Sequence, residues 1–244
     1  MKTVFVIGGG AAGLMAAYAA AKNGHTVTLI EKNEKLGKKI YITGKGRCNF
    51  TNDVDEEEFL RNVVRGERFL KSAIYTFPPS KTIEFFENHG LSIKIERGNR
   101  AFPTSDHASD VTKTLEKACK QTGVRILLNE KVEKIDFITE NNITMSDIIP
   151  TSRIVKIKTN KNDYTCDVVI VATGGISYPS TGSTGDGYVF ARAVGHSIID
   201  LKCGLCGINL VGDSFKPLQG LSLKNVGICI KMEQKTVYED FGEG

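Results

Sequence analysis

The chain has 244 residues, of which 41% are apolar and 25% charged. That is the composition of a globular protein long enough to bury a core without disulfide staples, and it excludes disorder, collagen and a coiled coil over most of the sequence. Length alone predicts one large domain, or one domain and part of another. Basic residues number 32 and acidic residues 28, for a net charge of +4. The basic residues are dispersed, so no nucleic-acid surface is expected. Met1-Lys2-Thr3 leads into an apolar run stopped by Gly8, too short for a secretory leader. No apolar stretch reaches the about 20 residues that cross a bilayer. With six scattered cysteines, the expectation is a cytoplasmic protein with no membrane partner and mostly free thiols.

Residues 3–7 (TVFVI) form a β-branched run that predicts a buried strand. Gly8-Gly9-Gly10-Ala11-Ala12-Gly13 follows, then an Ala-rich helix over 14–23 closed by Gly24. Residues 26–30 (TVTLI) predict a second strand ending at Glu31-Lys32, and residues 35–52 an ordered, basic, glycine-punctuated loop. A helix over 56–61 is expected with Asp53 as its cap. Another over 81–88 is expected with Ser80 as cap, and one over 110–122 with Ser109 as cap. Strands are predicted over 92–96 and 124–128, antiparallel strands over 131–137 and 154–159, and a fully buried strand over 167–172. A helix over 188–194 ends at Gly195. The pattern then changes to short strands, which places a boundary near Ile198 and predicts domains 1–197 and 198–244.

Gly8-x-Gly10-x-x-Gly13 is the main motif. The first glycine permits a tight turn, the second lets backbone approach a pyrophosphate, and the third lets the helix pack on the strand. The helix N-terminus then offers free N–H groups to phosphate. Glu31 stands where a carboxylate accepts hydrogen bonds from ribose hydroxyls. The alternative is a glycine turn used only for packing. NAD and FAD both fit this fingerprint. The loop Gly44-Lys45-Gly46-Arg47-Cys48-Asn49 favours FAD, because a flavin needs a long trench with a second lining loop. A solvated basic loop is the competing reading. No second G-x-G-x-x-G occurs, so no separate nicotinamide domain is expected.

Several segments together resemble one bacterial flavoprotein family. They are VIGGGAAGLMAA, LIEKNEKLGKK, TGKGRCNFTN, RAFPTS at 100–105, ATGGISYPSTGSTGDGY at 172–188 and LQGLSLKNV at 218–226. Its members are described as NAD(P)/FAD-dependent, aminoacetone-oxidase-like oxidoreductases. The resemblance implies an α/β fold, with a Rossmann-like FAD-binding domain of the two-dinucleotide-binding-domain flavoprotein type and the start of a smaller, mainly β inserted domain. It implies that Gly8, Gly10, Ala12 and Gly13 hold the pyrophosphate, and that Glu31 holds the adenosine ribose with Lys32 beside it. Gly46, Arg47, Cys48 and Asn49 line the trench. Val132 contacts adenine through its backbone, Thr173, Gly174 and Gly175 pass close to the FAD, and residues 184–187 support it. The family continues beyond the point matched by Gly244, so a C-terminally truncated chain is expected.

The expected activity is hydride transfer between flavin and a small organic substrate, or NAD(P)H docking transiently. Two alternatives remain at this level. One is a dinucleotide-binding or redox-sensing module without turnover. The other is a dithiol oxidoreductase using Cys203 and Cys206, which form a C-x-x-C. Arg100 and His107 are weaker candidates for substrate contact. The histidines show no metal-binding spacing, and no metal is expected.

Overall fold

The computed structural model describes residues 1–141, 150–204, 209, 211–214, 216–218, 220–221 and 226–242. Contacts divide the chain into two compact units, Met1–Ile198 and Ile199–Gly244.

In the first unit, β1 (Thr3–Ile7), α1 (Ala11–Lys22) and β2 (Thr26–Ile30) form the βαβ opening that the sequence predicts. Strand β3 (Thr51–Asn52) and helices α2 (Glu56–Arg61), α3 (Glu67–Thr76) and α4 (Pro79–Asn88) follow. Next come β4 (Ile93–Glu96), β5 (Arg100–Pro103), α5 (Ala108–Gln121) and β6 (Arg125–Leu127). Strands β7 (Val132–Asn141), β8 (Pro150–Thr159), β9 (Asp163–Thr165) and β10 (Val168–Val171) precede α6 (Asp186–Ala193).

The central sheet has the order β10-β1-β2-β6 and is parallel throughout. Side chains of β1 alternate between two packed layers. Val4 and Val6 join Leu14 and Ala17 of α1 and Ala118 and Cys119 of α5 on one face. Phe5 and Ile7 join Val132, Ile157 and Phe190 on the other. Burial on both faces is why β1 and β2 read as continuous apolar runs rather than alternating ones. The antiparallel sheet β7-β8-β9 and the small sheet β3-β5-β4 complete the unit.

Four local expectations are corrected. The strand predicted over 167–172 is not fully buried. As an edge strand, β10 is half-buried, with Val171 44% exposed. Asp55, not Asp53, caps α2 by accepting a 2.7 Å hydrogen bond from the Glu58 N–H. The Asp53 N–H is spent on the Asn99 carbonyl at 2.7 Å. Ser80 lies inside α4, which Pro79 starts with its preset φ and missing N–H. Ser109 lies inside α5, which begins at Ala108 with no side-chain cap.

The described part of the second unit contains an antiparallel hairpin, β11 (Val226–Met232) with β12 (Lys235–Gly242). Glu233 and Gln234 turn it, both at positive φ, as a two-residue turn of this hand requires.

Candidate cofactor site

The glycines of the first turn divide into two physical classes. A Cβ on Gly13 would lie 1.8 Å from the Gly8 carbonyl oxygen, so α1 packs on the turn only through a glycine. Gly8 has φ +107, and a Cβ there would stand 2.5 Å from the Ala172 oxygen. These two positions are closed by packing. Gly10 is different: it lines a cavity, and a Cβ on it would meet nothing within 4 Å. Its φ of −81° suits any residue, so neither strain nor crowding within the protein demands glycine there.

Helix α1 starts at this turn with no side-chain cap and no acidic residue in its first turn. Ala11 and Ala12 are exposed and line the same cavity. The first N–H groups of a twelve-residue helix, with its positive dipole end, therefore border an open space without a protein acceptor of their own.

The cavity holds about 640 Å³, within the range of cofactor and ligand sites. Glu31 lies at the end of β2, lines the cavity and is buried. Its Oε2 accepts from the Gly9 N–H at 2.6 Å. Its Oε1 accepts from the Asn33 N–H at 2.8 Å and the Asn33 side-chain amide at 2.6 Å. A carboxylate oxygen has two acceptor sites, so Oε1 is filled and Oε2 keeps one. That leaves room for one ribose hydroxyl. Asn33, unremarked in the sequence, is what orients this carboxylate. It could have been suspected only from its place two residues beyond the strand.

Lys32 also lines the cavity, but its ammonium is engaged by Thr184 Oγ1 and Asp186 Oδ2, both at 2.6 Å. Lys39 donates to the Ser177 carbonyl at 2.8 Å, and Asn33 to the Thr181 carbonyl at 3.4 Å. Residues 177–186 are thus tied to the segment after β2 at three points. Burial alone would raise the Asp186 carboxyl, but the hydrogen bonds from Lys32 and Thr184 and the Lys32 charge hold it below the ordinary carboxylate range. A depressed folded-state pKa gives stability that is present above the unfolded pKa and is lost as pH falls through the folded one. Asp186→Asn is therefore expected to melt below the unaltered protein at pH 7. The gap should close as pH drops below about 4, as thermal melts over a pH series would show. A gap independent of pH would contradict the ion pair.

The structure does not bring all of the expected residues to the cavity. Cys48 and Asn49 line it, as do Val132, Thr173 and Gly174. Gly46, Arg47 and Gly175 do not. The Arg47 guanidinium turns to Glu96, with Nη1 at 2.9 and 3.1 Å from the two carboxylate oxygens. It lies 4.3 Å from the centre of the Phe102 ring. Lys94 bridges Glu96 and Asp106 beside it. Arg47 thus anchors the loop to β4 and β5 instead of offering its charge to the cavity. In that loop Gly44, Lys45, Gly46 and Cys48 all have positive φ, which explains its glycines.

Cys48 is buried and burial pushes its thiol up, against a smaller opposing effect of a hydrogen bond with Thr43. It is therefore a protonated wall residue. Burial also pushes the thiols of Cys119 and Cys166 up to about 11. His107 is exposed, Arg100 donates to the Arg97 carbonyl, and neither lines the cavity. Glu130 was not foreseen: it is buried, lines the cavity and accepts from Thr159 Oγ1 at 2.7 Å and Tyr164 Oη at 2.8 Å. Cys203 is exposed in the second unit, and Cys206 lies outside the described residues. Among the described residues, no cluster could hold a metal ion, and no helix is long and apolar enough to cross a membrane.

An FAD fits this donor set. Gly10 leaves a backbone cradle that a Cβ would fill, α1 offers free N–H groups for phosphate, and Glu31 offers one acceptor for ribose.

Comparison with known proteins agrees. The profile of the HI0933-like protein Rossmann domain matches residues 2–235. The 3-dehydro-bile acid delta(4,6)-reductase of Clostridium scindens is 30% identical over 253 aligned positions, covering all of this chain and 56% of that protein. The ribosomal RNA dihydrouridine synthase of Haemophilus influenzae is 31% identical, covering 82% of this chain and 47% of that protein. The chain spans about half the length of these relatives. Among solved structures, a flavocytochrome c3 fumarate reductase matches 80% of the chain, and 41% of its own, with TM-score 0.54 and 21% identity. Sdh1 of Mycobacterium smegmatis matches 79%, and 38% of its own, with TM-score 0.56 and 20% identity. At such identity these structures speak for the fold alone. The glycine turn, the parallel sheet and the profile match together make this chain a member of the HI0933-like Rossmann family of FAD-dependent flavoprotein oxidoreductases.

Proposed function

We propose that this chain holds FAD in the cavity between the Gly8–Gly13 turn and Val132, and that the protein passes a hydride between that flavin and a small organic substrate. The observation that carries the reading is Gly10. It is a glycine that the protein's own packing does not need, at the mouth of an uncapped helix, beside a cavity of cofactor size. Bound flavin would supply reversible two-electron chemistry. The chain supplies the rest. The N–H groups of Ala11 and Ala12 meet pyrophosphate charge. Glu31, its carboxylate oriented by Gly9 and Asn33, takes a ribose hydroxyl at Oε2 and disfavours a phosphate at that position by like-charge repulsion. Cys48, Phe50 and Ile40 give the cavity part of an apolar wall, which would exclude water from a ring bound against it.

NAD(P)H is the proposed electron donor, docking from solution. Anaerobic addition of NADH or NADPH to the FAD-loaded whole protein should bleach the flavin band. A flavin that no donor bleaches would favour a binding module without turnover. The name of the Haemophilus relative supports a second substrate reading, a base within ribosomal RNA. Turnover of free small ring compounds in the absence of RNA would decide against it.

A further inference from the structure

The cofactor cavity shares a wall with another. Asn49, Phe50, Phe77 and Thr82 line both it and a second cavity of about 390 Å³. Phe59 of α2 and Ile74 of α3 line the second cavity and not the first. Every side chain on its wall is aromatic, aliphatic, amide or hydroxyl, and none is charged. The cavity is open to solvent on one side, and on the protein side a charged ligand would find no side chain of opposite charge.

Asn49 stands at the junction. Its Nδ2 donates to the Thr51 carbonyl at 2.7 Å and the Ala101 carbonyl at 3.1 Å. Only an N–H can meet two carbonyls, so the orientation of the amide is fixed. Both donors are spent inside the protein, and Oδ1 has no hydrogen-bond partner among the described residues. Asn49, which lines both cavities together with Phe50 and Phe77, therefore keeps one acceptor with no protein donor. An acceptor held in this way selects ligands with an O–H or N–H.

Resting on the flavin reading, we propose that the second cavity is the substrate compartment. It takes a neutral, flat ring compound whose hydroxyl or N–H donates to Asn49 Oδ1, with its ring against Phe50 and Phe77. The volume suits a ligand of two or three fused rings. The shared wall brings that ligand next to the apolar stretch of the cofactor cavity.

The test is calorimetric titration of the FAD-loaded chain with three probes: 2-naphthol, 2-methoxynaphthalene and 2-naphthoate. 2-Naphthol should bind at least tenfold more tightly than the charged 2-naphthoate, and at least threefold more tightly than 2-methoxynaphthalene, which has no donor. Ile74→Trp puts an indole into the compartment from α3. It should weaken 2-naphthol at least tenfold and leave the FAD Kd within twofold. Equal affinity for 2-naphthol and 2-naphthoate overturns the proposal, as does an Ile74→Trp chain with unchanged melting temperature and undiminished 2-naphthol binding. If Ile74→Trp does not fold, the three-probe comparison on the unaltered chain decides alone. A chain that takes up no FAD refutes the flavin reading and this proposal with it. FAD uptake with indifferent probe binding refutes this proposal only.

Discussion

Gly13→Ala is expected to melt about 6–12 °C below the unaltered chain, and to lose FAD binding as a consequence. The cause is geometric. The added Cβ would sit 1.8 Å from the Gly8 carbonyl oxygen, which is backbone and cannot rotate away. Either α1 lifts from β1 or the turn moves, and both changes disturb a layer in which Leu14 and Ala17 are fully buried. Overpacking of that kind costs about 3 kcal/mol, and each kcal/mol shifts the melting point of a domain this size by about 2–4 °C. Calorimetry of the apo chain reads the effect without any cofactor present. A Gly13→Ala chain that melts within 2 °C of the original would mean that the helix does not pack on the turn as described.

Gly10→Val should behave in the opposite way. The backbone there is extended, and an added Cβ meets no protein atom within 4 Å. The apo protein should therefore melt within about 3 °C of the original, since only a weak helix-start preference is lost. FAD affinity should fall at least 100-fold, about 2.7 kcal/mol, because the valine occupies the space where pyrophosphate approaches the backbone. The two variants separate packing from binding within a single six-residue motif. If both destabilise equally, the motif is a packing turn and nothing more. If Gly10→Val binds FAD normally, the pyrophosphate lies elsewhere.

Both variants were foreseeable from the sequence only as roles, not as a contrast. The pattern Gly8-x-Gly10-x-x-Gly13 between two β-branched runs is local, so strand, turn and helix could be placed from spacing. The continuous apolar character of β1 and β2 also predicted burial on both faces, because Val4 and Val6 pack on one layer and Phe5 and Ile7 on the other. The same reasoning failed for β10. Its residues are as apolar as those of β1, but its place at the sheet edge leaves Val171 44% exposed. Composition does not report position in a sheet.

Helix caps were misplaced by two residues in three helices for a related reason, although α2 itself spans the expected residues. Asp53, Ser80 and Ser109 are all residue types that cap helices. The sequence does not show that the Asp53 N–H is committed to Asn99, or that prolines already fix the start of α4. Helix α3 was not foreseen at all. Its apolar residues Leu70, Ala73 and Ile74 recur at helical spacing, but it has no buried residue.

The candidate site was legible where it follows one strand–turn–helix and obscure where it depends on distant partners. Glu31 was identified from its place at the end of β2. Its orientation by Gly9 and Asn33 required the fold. Arg47 carries the charge that a pyrophosphate wants, but Glu96, 49 residues away in sequence, claims its guanidinium. Glu130, just before β7, is held by Thr159 of β8 and Tyr164 of β9, a contact that no short motif encodes. The tie between Lys32 and Asp186 spans 154 residues.

The central claim is that the space beside Gly10 is an FAD site. Titration of the purified 244-residue chain with FAD, followed by quenching of flavin fluorescence, tests it directly. The account predicts saturable uptake of one FAD per chain, abolished in Gly10→Val at unchanged melting temperature. An unaltered chain that is folded by circular dichroism and leaves flavin fluorescence unquenched, or a Gly10→Val chain that quenches it as strongly as the unaltered one, would contradict it.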